Sequence, residues 1–174
     1  MNLLIIHQNF PGQFRHVASV ALKQRRFTVT AIGRDTAPGI PGVIIFRYRP
    51  VRKTSNPHPY LRGFEESLSD GQQVLDVLIK LKKDGYRPDL VLAHPGWGET
   101  LFVKDVYPDA PLIHFCEYYY HAKGADLNFD PEFPSCANAS SRLRILNSMH
   151  LLNLEQCDIG IAPTYWQRSL FPSA

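Results

Sequence analysis

Six short apolar runs alternate along the chain with longer stretches of mixed polarity. Leu3-Leu4-Ile5-Ile6, Phe27 to Ile32, Val43 to Phe46, Asp89 to Ala93, Pro111 to Cys116 and Asp158 to Ala162 have the length and residue types of strands. Between them lie helical patterns. Gln13 to about Gln24 is amphipathic. From Leu61 to about Lys83, the apolar residues Leu61, Phe64, Leu68, Leu75, Leu78 and Ile79 recur at helical spacing, with Glu, Asp and Lys between them. Further helices are predicted over Glu99 to Val106, Ala139 to Gln156 and Thr164 to Leu170. Gly71 is a weak point inside the long helix, because a mid-helix glycine favours the unfolded chain. Pro50, Pro57 and Pro59 make residues 50–60 an extended connection. No internal repeat or low-complexity segment interrupts the pattern.

Strands that alternate with helices, and that show little in–out alternation of their own, predict an α/β fold. Its parallel sheet of about six strands is covered by helices on both faces. A Rossmann-like strand order, 3-2-1-4-5-6, would set strands one and four side by side where the order reverses. Ligands bind at the carboxyl ends of strands at that point. Two glycine-bearing turns fall there. The first, His7-Gln8-Asn9-Phe10-Pro11-Gly12-Gln13-Phe14, joins strand one to its helix. The second, His94-Pro95-Gly96-Trp97-Gly98, follows strand four, with Glu99 after it. Free backbone N–H groups at a helix start favour a phosphate or carboxylate. Any strand–helix connection also needs a turn, so it is the convergence of the two that carries the argument.

Composition narrows the class. With 174 residues, 44% of them hydrophobic and 20% charged, the chain has the size and make-up of one globular domain. A net charge of +3 is too small to argue for nucleic acid. Arg47, Arg49, Arg52 and Lys53 form a local basic cluster, which could meet an anionic lipid or substrate but reads first as a solvated loop. Cys116, Cys136 and Cys157 are odd in number and far apart, which suggests neither disulfides nor zinc and fits a reducing compartment. The apolar run after Met1 breaks at His7 without a basic leader, so no secretory signal is expected. No run approaches the ~20 apolar residues of a membrane span. A cytoplasmic location is expected, with peripheral contact at the inner face of the membrane left open.

Specific chemistries follow from single positions. A nicotinamide fingerprint is not met: the first turn has one glycine where three are wanted, and Asp35 reads as a turn residue. His114, Glu117 and His121 straddle a strand end rather than share a helix face, so no metal site is expected. Nothing resembles a nucleophile elbow, and Cys116 reads as a buried strand residue. Glu117 ends strand five, where its carboxylate should project toward the crevice. Tyr118, Tyr119 and Tyr120 follow, then Asp126, Phe129, Asp130 and Phe133. Aromatic faces beside acidic acceptors suit sugars, and they suit loop packing as well. His7 and His94 end strands one and four as candidate polar contacts, with Asn9, Gly96, Trp97, Gly98 and Glu99 beside them in the crevice.

Four stretches taken together resemble a known family. They are His7 to Phe14, His94 to Thr100, Gly124-Ala125-Asp126 through Phe129 to Pro134, and Ala162-Pro163-Thr164-Tyr165-Trp166-Gln167-Arg168-Ser169 with Phe171-Pro172. In order and spacing they are similar to the N-terminal domain of family 4 glycosyltransferases. The resemblance implies one half of a GT-B fold, in which two Rossmann-like domains face each other across a cleft. It implies a retaining transfer from a nucleotide-sugar co-substrate, with no metal or other cofactor, and an N-terminal half that mainly binds a carbohydrate or glycolipid acceptor. Gly12 and Gln13 would approach the donor diphosphate through backbone N–H groups. Glu117 occupies the place where many members carry a histidine, and would orient an acceptor hydroxyl or the donor sugar rather than act as a base. The sequence ends at Ala174, where the family continues into its C-terminal donor domain. That domain is the expected partner, and residues 1–174 alone are not expected to catalyse transfer. A stand-alone binding module and half of a GT-B sugar-nucleotide epimerase are the alternatives.

Overall fold

The computed structural model describes residues 1–51, 56–125, 127–128, 130–136 and 138–172. Six strands form one sheet: β1 (Asn2–Ile6), β2 (Thr28–Arg34), β3 (Ile44–Tyr48), β4 (Leu90–Ala93), β5 (Leu112–Phe115) and β6 (Ile159–Ile161). Their order is β3-β2-β1-β4-β5-β6, and every neighbouring pair is parallel. The helices are α1 (Arg15–Lys23), α2 (Arg62–Lys83), α3 (Val103–Val106), α4 (Ala139–Gln156) and α5 (Tyr165–Leu170). This is the Rossmann-like α/β sheet the apolar pattern predicts, with element ends shifted by a residue or two.

The pleat of β1 explains why its four apolar residues come without polar alternation. Leu4 and Ile6 join Ile32, Val91 and Leu112 in a core under α2 and α3, where Val74, Leu78 and Leu81 pack. Leu3 and Ile5 point the other way and meet Phe10, Phe14, Ala18 and Ala21 beneath α1. Both faces are therefore dry, and each fully buried aliphatic side chain contributes about 1.5–3 kcal/mol. Register places the site. Ile6 pairs with Ala93 on one side and Ile32 on the other, so the next residues, His7 and His94, leave the sheet side by side.

One helix departs from the sequence pattern. Glu99 does not open a helix: residues 98–102 form tight turns, and α3 is confined to Val103–Val106. Gly98 has a left-handed φ of 93°, and two inward-facing side chains hold the segment. The Tyr48 hydroxyl donates to Glu99 Oε1 at 2.6 Å, and the Thr100 hydroxyl donates to Asn153 Oδ1 at 2.7 Å. These long-range bonds override local helix propensity. The same turns account for Gly71. A Cβ there would lie 2.6 Å from the Gly98 carbonyl oxygen, so the glycine is where α2 and the loop after β4 touch backbone to backbone.

Candidate functional site

The loop after β1 folds back on itself at once. The Phe10 N–H donates to the His7 carbonyl, Gly12 N–H to that of Asn9, and Phe14 N–H to that of Pro11. Phe10 and Phe14 are buried as anchors, and the Phe10–Pro11 bond is cis. His7 is buried beneath the turn, its Nδ1 accepting from the Asn9 N–H at 3.0 Å. Gly12, at φ 44°, lies directly over the His7 ring, where a Cβ would come within 2.4 Å of Cε1. Burial is the main influence on the His7 pKa and lowers it.

The loop after β4 presents His94. Its Nδ1 accepts from the Gly96 N–H at 3.1 Å, so that nitrogen carries no proton and Nε2 does. Burial, then the neighbouring His7 and His150 rings, pushes His94 down to about 3. It is therefore neutral at physiological pH. Trp97 is stacked flat on it at 4.2 Å, and His7 meets both rings edge-on at 5.9 and 5.6 Å.

Glu117, just past β5, ties these loops together. Its Oε2 accepts from Gln13 Nε2 at 2.8 Å and from His94 Nε2 at 3.2 Å. Its backbone carbonyl accepts from Gln167 Nε2 at 2.9 Å, a contact from α5. Thr164 caps that helix, its hydroxyl accepting from the Gln167 N–H. The loops after β1, β4 and β5 thus share one carboxylate at the carboxyl edge of the sheet. The Glu117 side chain is 40% exposed, so the group that organises the loops also faces solvent.

Helix α4 supplies the support that sequence reasoning missed. Its buried face carries Asn147, His150 and Asn153, spaced three apart, while Leu146, Leu151 and Leu152 are exposed. Asn147 takes the Tyr120 N–H on Oδ1 and returns a bond to the Tyr120 carbonyl. Asn153 Nδ2 donates to the Pro95 carbonyl at 2.9 Å. A polar stripe at helical spacing inside a leucine-rich segment was the available signal. Asn153→Leu leaves the Pro95 carbonyl and the Thr100 hydroxyl buried without partners. It is expected to lower stability by about 2–4 kcal/mol, measured by urea titration. Unchanged unfolding would remove Asn153 from this role.

Some expected site residues lie elsewhere or act differently. Glu99 is 2% exposed and turned inward onto Tyr48, away from the solvent-facing edge. Burial pushes its carboxyl up to about 7, with the nearby Asp70 adding and the Tyr48 hydrogen bond opposing. The Gly12 N–H is spent on the Asn9 carbonyl, so it is not the free donor the turn argument expects. What Gly12 supplies is close packing over His7. Tyr118 lies 6.0 Å from Trp166, ring to ring, whereas Tyr119 packs on His121, His150 and Phe171. Asn9, Gly96 and Gly98 all belong to the two turns, with the Gly98 backbone buried against α2. Asp126 and Phe129 fall outside the described residues, as do Arg52 and Lys53. Of the basic cluster, Arg47 bonds the carbonyls of Arg34, Asp35 and Ala37, and Arg49 pairs with Asp35 at 3.0 Å.

A family model described as "Glycosyl transferase family 4 group" matches residues 25–174. No curated protein matches the chain at a significant level. Among solved structures, MurG from Acinetobacter baumannii is similar at 11% identity and a TM-score of 0.54, covering 99% of this chain and 43% of its own. UGT2 from Phytolacca americana, complexed with UDP-2fluoro-glucose and pterostilbene, is similar at 12% identity and a TM-score of 0.60, covering 94% and 48%. UDP-GlcNAc 2-epimerase from Neisseria meningitidis, bound to UDP-GlcNAc, is similar at 12% identity and a TM-score of 0.52, covering 98% and 42%. At these identities the likeness is one of fold, and the chain spans less than half of each of the three.

Proposed function

This chain belongs to the glycosyl transferase family 4 group, and on that premise we propose that it is the N-terminal, acceptor-binding half of a retaining glycosyltransferase. The donor is a nucleotide-sugar, most of whose site lies in a C-terminal domain of the same protein. Structures of this fold that are about twice as long support that division. The observation that carries the reading is the meeting of three strand-end loops on the Glu117 carboxylate. Such a carboxylate, half exposed and steadied by a neutral imidazole, can accept a hydrogen bond from a sugar hydroxyl. In this reading Glu117 positions an acceptor hydroxyl or the donor sugar. Gln13, held at the strand-end loops by its bond to Glu117, reaches the donor diphosphate. His7, Asn9, His94, Gly96, Trp97, Gly98, Tyr118 and Tyr119 line or support the cleft in this reading, and Asp126 is proposed as an acceptor contact on the sequence alone.

The location proposed is cytoplasmic, including contact with the inner face of the membrane. Among the described residues no helix is long and apolar enough to cross a membrane, and all three cysteines are free.

Screening nucleotide-sugars against the full-length protein, with products detected by mass, tests the proposal. A glycosylated acceptor supports it. An isomerised sugar-nucleotide would point to an epimerase instead, and no turnover with any donor to a binding module. Glu117→Gln is expected to reduce kcat/KM by about 10- to 100-fold, the worth of one charge-assisted hydrogen bond, with little change in stability. Wild-type kinetics would return Glu117 to an ordinary surface acid.

A further inference from the structure

A slot of about 360 Å³ opens between the start of α2 and the first half of α4. Tyr60, Phe64, Leu127, Leu143, Leu146 and Met149 make it predominantly apolar. Gly96 forms part of its wall, so the slot abuts the loop whose His94 bonds Glu117. A second hollow shares Pro59, Tyr60, Gly63 and Arg142 with it and adds His58, Arg62 and Asn138. Two arginines therefore stand where an apolar slot meets solvent.

Neither arginine is held in an ion pair among the described residues. Arg34 pairs with Asp70 and Arg49 with Asp35, but neither Arg62 nor Arg142 has an ion-pair partner among the described residues. Glu65 and Glu66 share a helix with Arg62 and line neither hollow. Both helices begin here with no side chain capping them, so their dipoles add to the same positive field.

We propose that this slot receives the apolar portion of an anionic acceptor, whose phosphate or carboxylate lies against Arg142 and Arg62. The inference rests on the acceptor-binding reading above and adds the acceptor's class: an amphiphilic anion rather than a neutral sugar. The volume is at the small end of small-molecule sites. It admits a ring or a short stretch of chain, with any longer tail running out past Leu146, which is 45% exposed. The anion can belong to a soluble ester or to a lipid headgroup; both present the same chemistry to the slot.

Octyl phosphate, kept below its micelle concentration, is the probe, titrated into full-length protein by calorimetry. Saturable binding is expected. Arg142→Gln should weaken it about 10-fold through loss of a charge-assisted contact, and Leu146→Glu should weaken it at least as much. Octyl glucoside should be indifferent to Arg142→Gln. Absence of saturable octyl phosphate binding, or equal affinity in both variants, would overturn the proposal. Vesicles of phosphatidylglycerol and phosphatidylcholine separate the sources. Competition between vesicles and octyl phosphate supports a lipid-borne acceptor, and octyl phosphate binding without any vesicle binding supports a soluble one. Vesicle binding that octyl phosphate does not displace identifies a membrane surface and overturns the slot. Because the readout is binding, it is separable from the transfer assay. Binding without transfer to any acceptor leaves the slot and removes the glycosyltransferase reading; transfer without binding does the reverse.

Discussion

Replacing Gly98 by alanine is expected to destabilise the fold by about 3–5 kcal/mol, more than any other single methyl added to a glycine. Two independent costs combine. The backbone there is left-handed, at φ 93°, which any L side chain resists by about 1–2 kcal/mol. The added Cβ would also lie 2.0 Å from the Ser67 carbonyl oxygen and 2.5 Å from its carbon. Those are backbone atoms in the second turn of α2 and cannot swing aside as a side-chain tip would, so helix and loop must separate. For a chain of this size, such a loss lowers Tm by roughly 6–20 °C. Gly63→Ala on the same helix is the control. No atom lies within 4 Å of its Cβ position, and alanine should stabilise the helix by about 0.5–1 kcal/mol. Equal melting temperatures for Gly98→Ala and wild type would mean that the contact between α2 and this loop is not maintained in solution.

On the proposed function, Gly12→Val is expected to cut transfer by the full-length protein about 100-fold, the scale of loss when reacting groups are displaced by about an ångström. The new Cβ would land on the face of the His7 imidazole, 2.4–2.8 Å from Cε1, Nδ1 and Nε2. That ring has little freedom to retreat. Its Nδ1 is bonded to the Asn9 N–H, and Phe14, His94 and Trp97 all meet it edge-on. The turn must lift instead, taking Gln13 away from Glu117. Stability should fall by about 1–3 kcal/mol from the positive φ and the overlap. A cycle with His7→Ala separates the causes: if the imidazole is what the valine strikes, removing it recovers much of the stability. Transfer at the wild-type rate in Gly12→Val would show that the first turn takes no part in positioning the donor.

Both variants depend on glycines that a sequence reader notices for a different reason. Gly12 and Gly98 mark turns at strand ends, and their placement at the reversal of strand order is legible from the alternation of apolar runs. Gly71 in the sequence is a weakness in a helix. Only its neighbour in space, the Gly98 carbonyl, turns it into a requirement. Helix α4 shows the same limit from the other side. Its leucines invite the expectation that they face inward, yet Asn147, His150 and Asn153 do, because the loops after β4 and β5 offer backbone groups to the two asparagines and the Tyr119 and Tyr120 rings to His150. Glu99, expected at the cleft from its place after the second turn, points into the interior, because the Tyr48 hydroxyl, 51 residues away in sequence, bonds it there at 2.6 Å.

Local sequence was enough to determine the α/β class, the parallel sheet, the position of its crossover and the two turns that end β1 and β4. Those properties depend on the period of apolar residues and on glycine and proline, which act within a few residues of themselves. Tertiary structure decided which atoms meet: that one carboxylate oxygen of Glu117 joins Gln13 to His94, that the Gly12 amide is spent inside its own turn, and that an apolar slot ends at two unpaired arginines. Apart from the Gly12 amide, whose partner Asn9 is three residues away, each of those facts is a distance between groups tens of residues apart. Hydrogen bonds and steric overlap change sign over a fraction of an ångström, and no periodicity along the chain encodes a separation that fine.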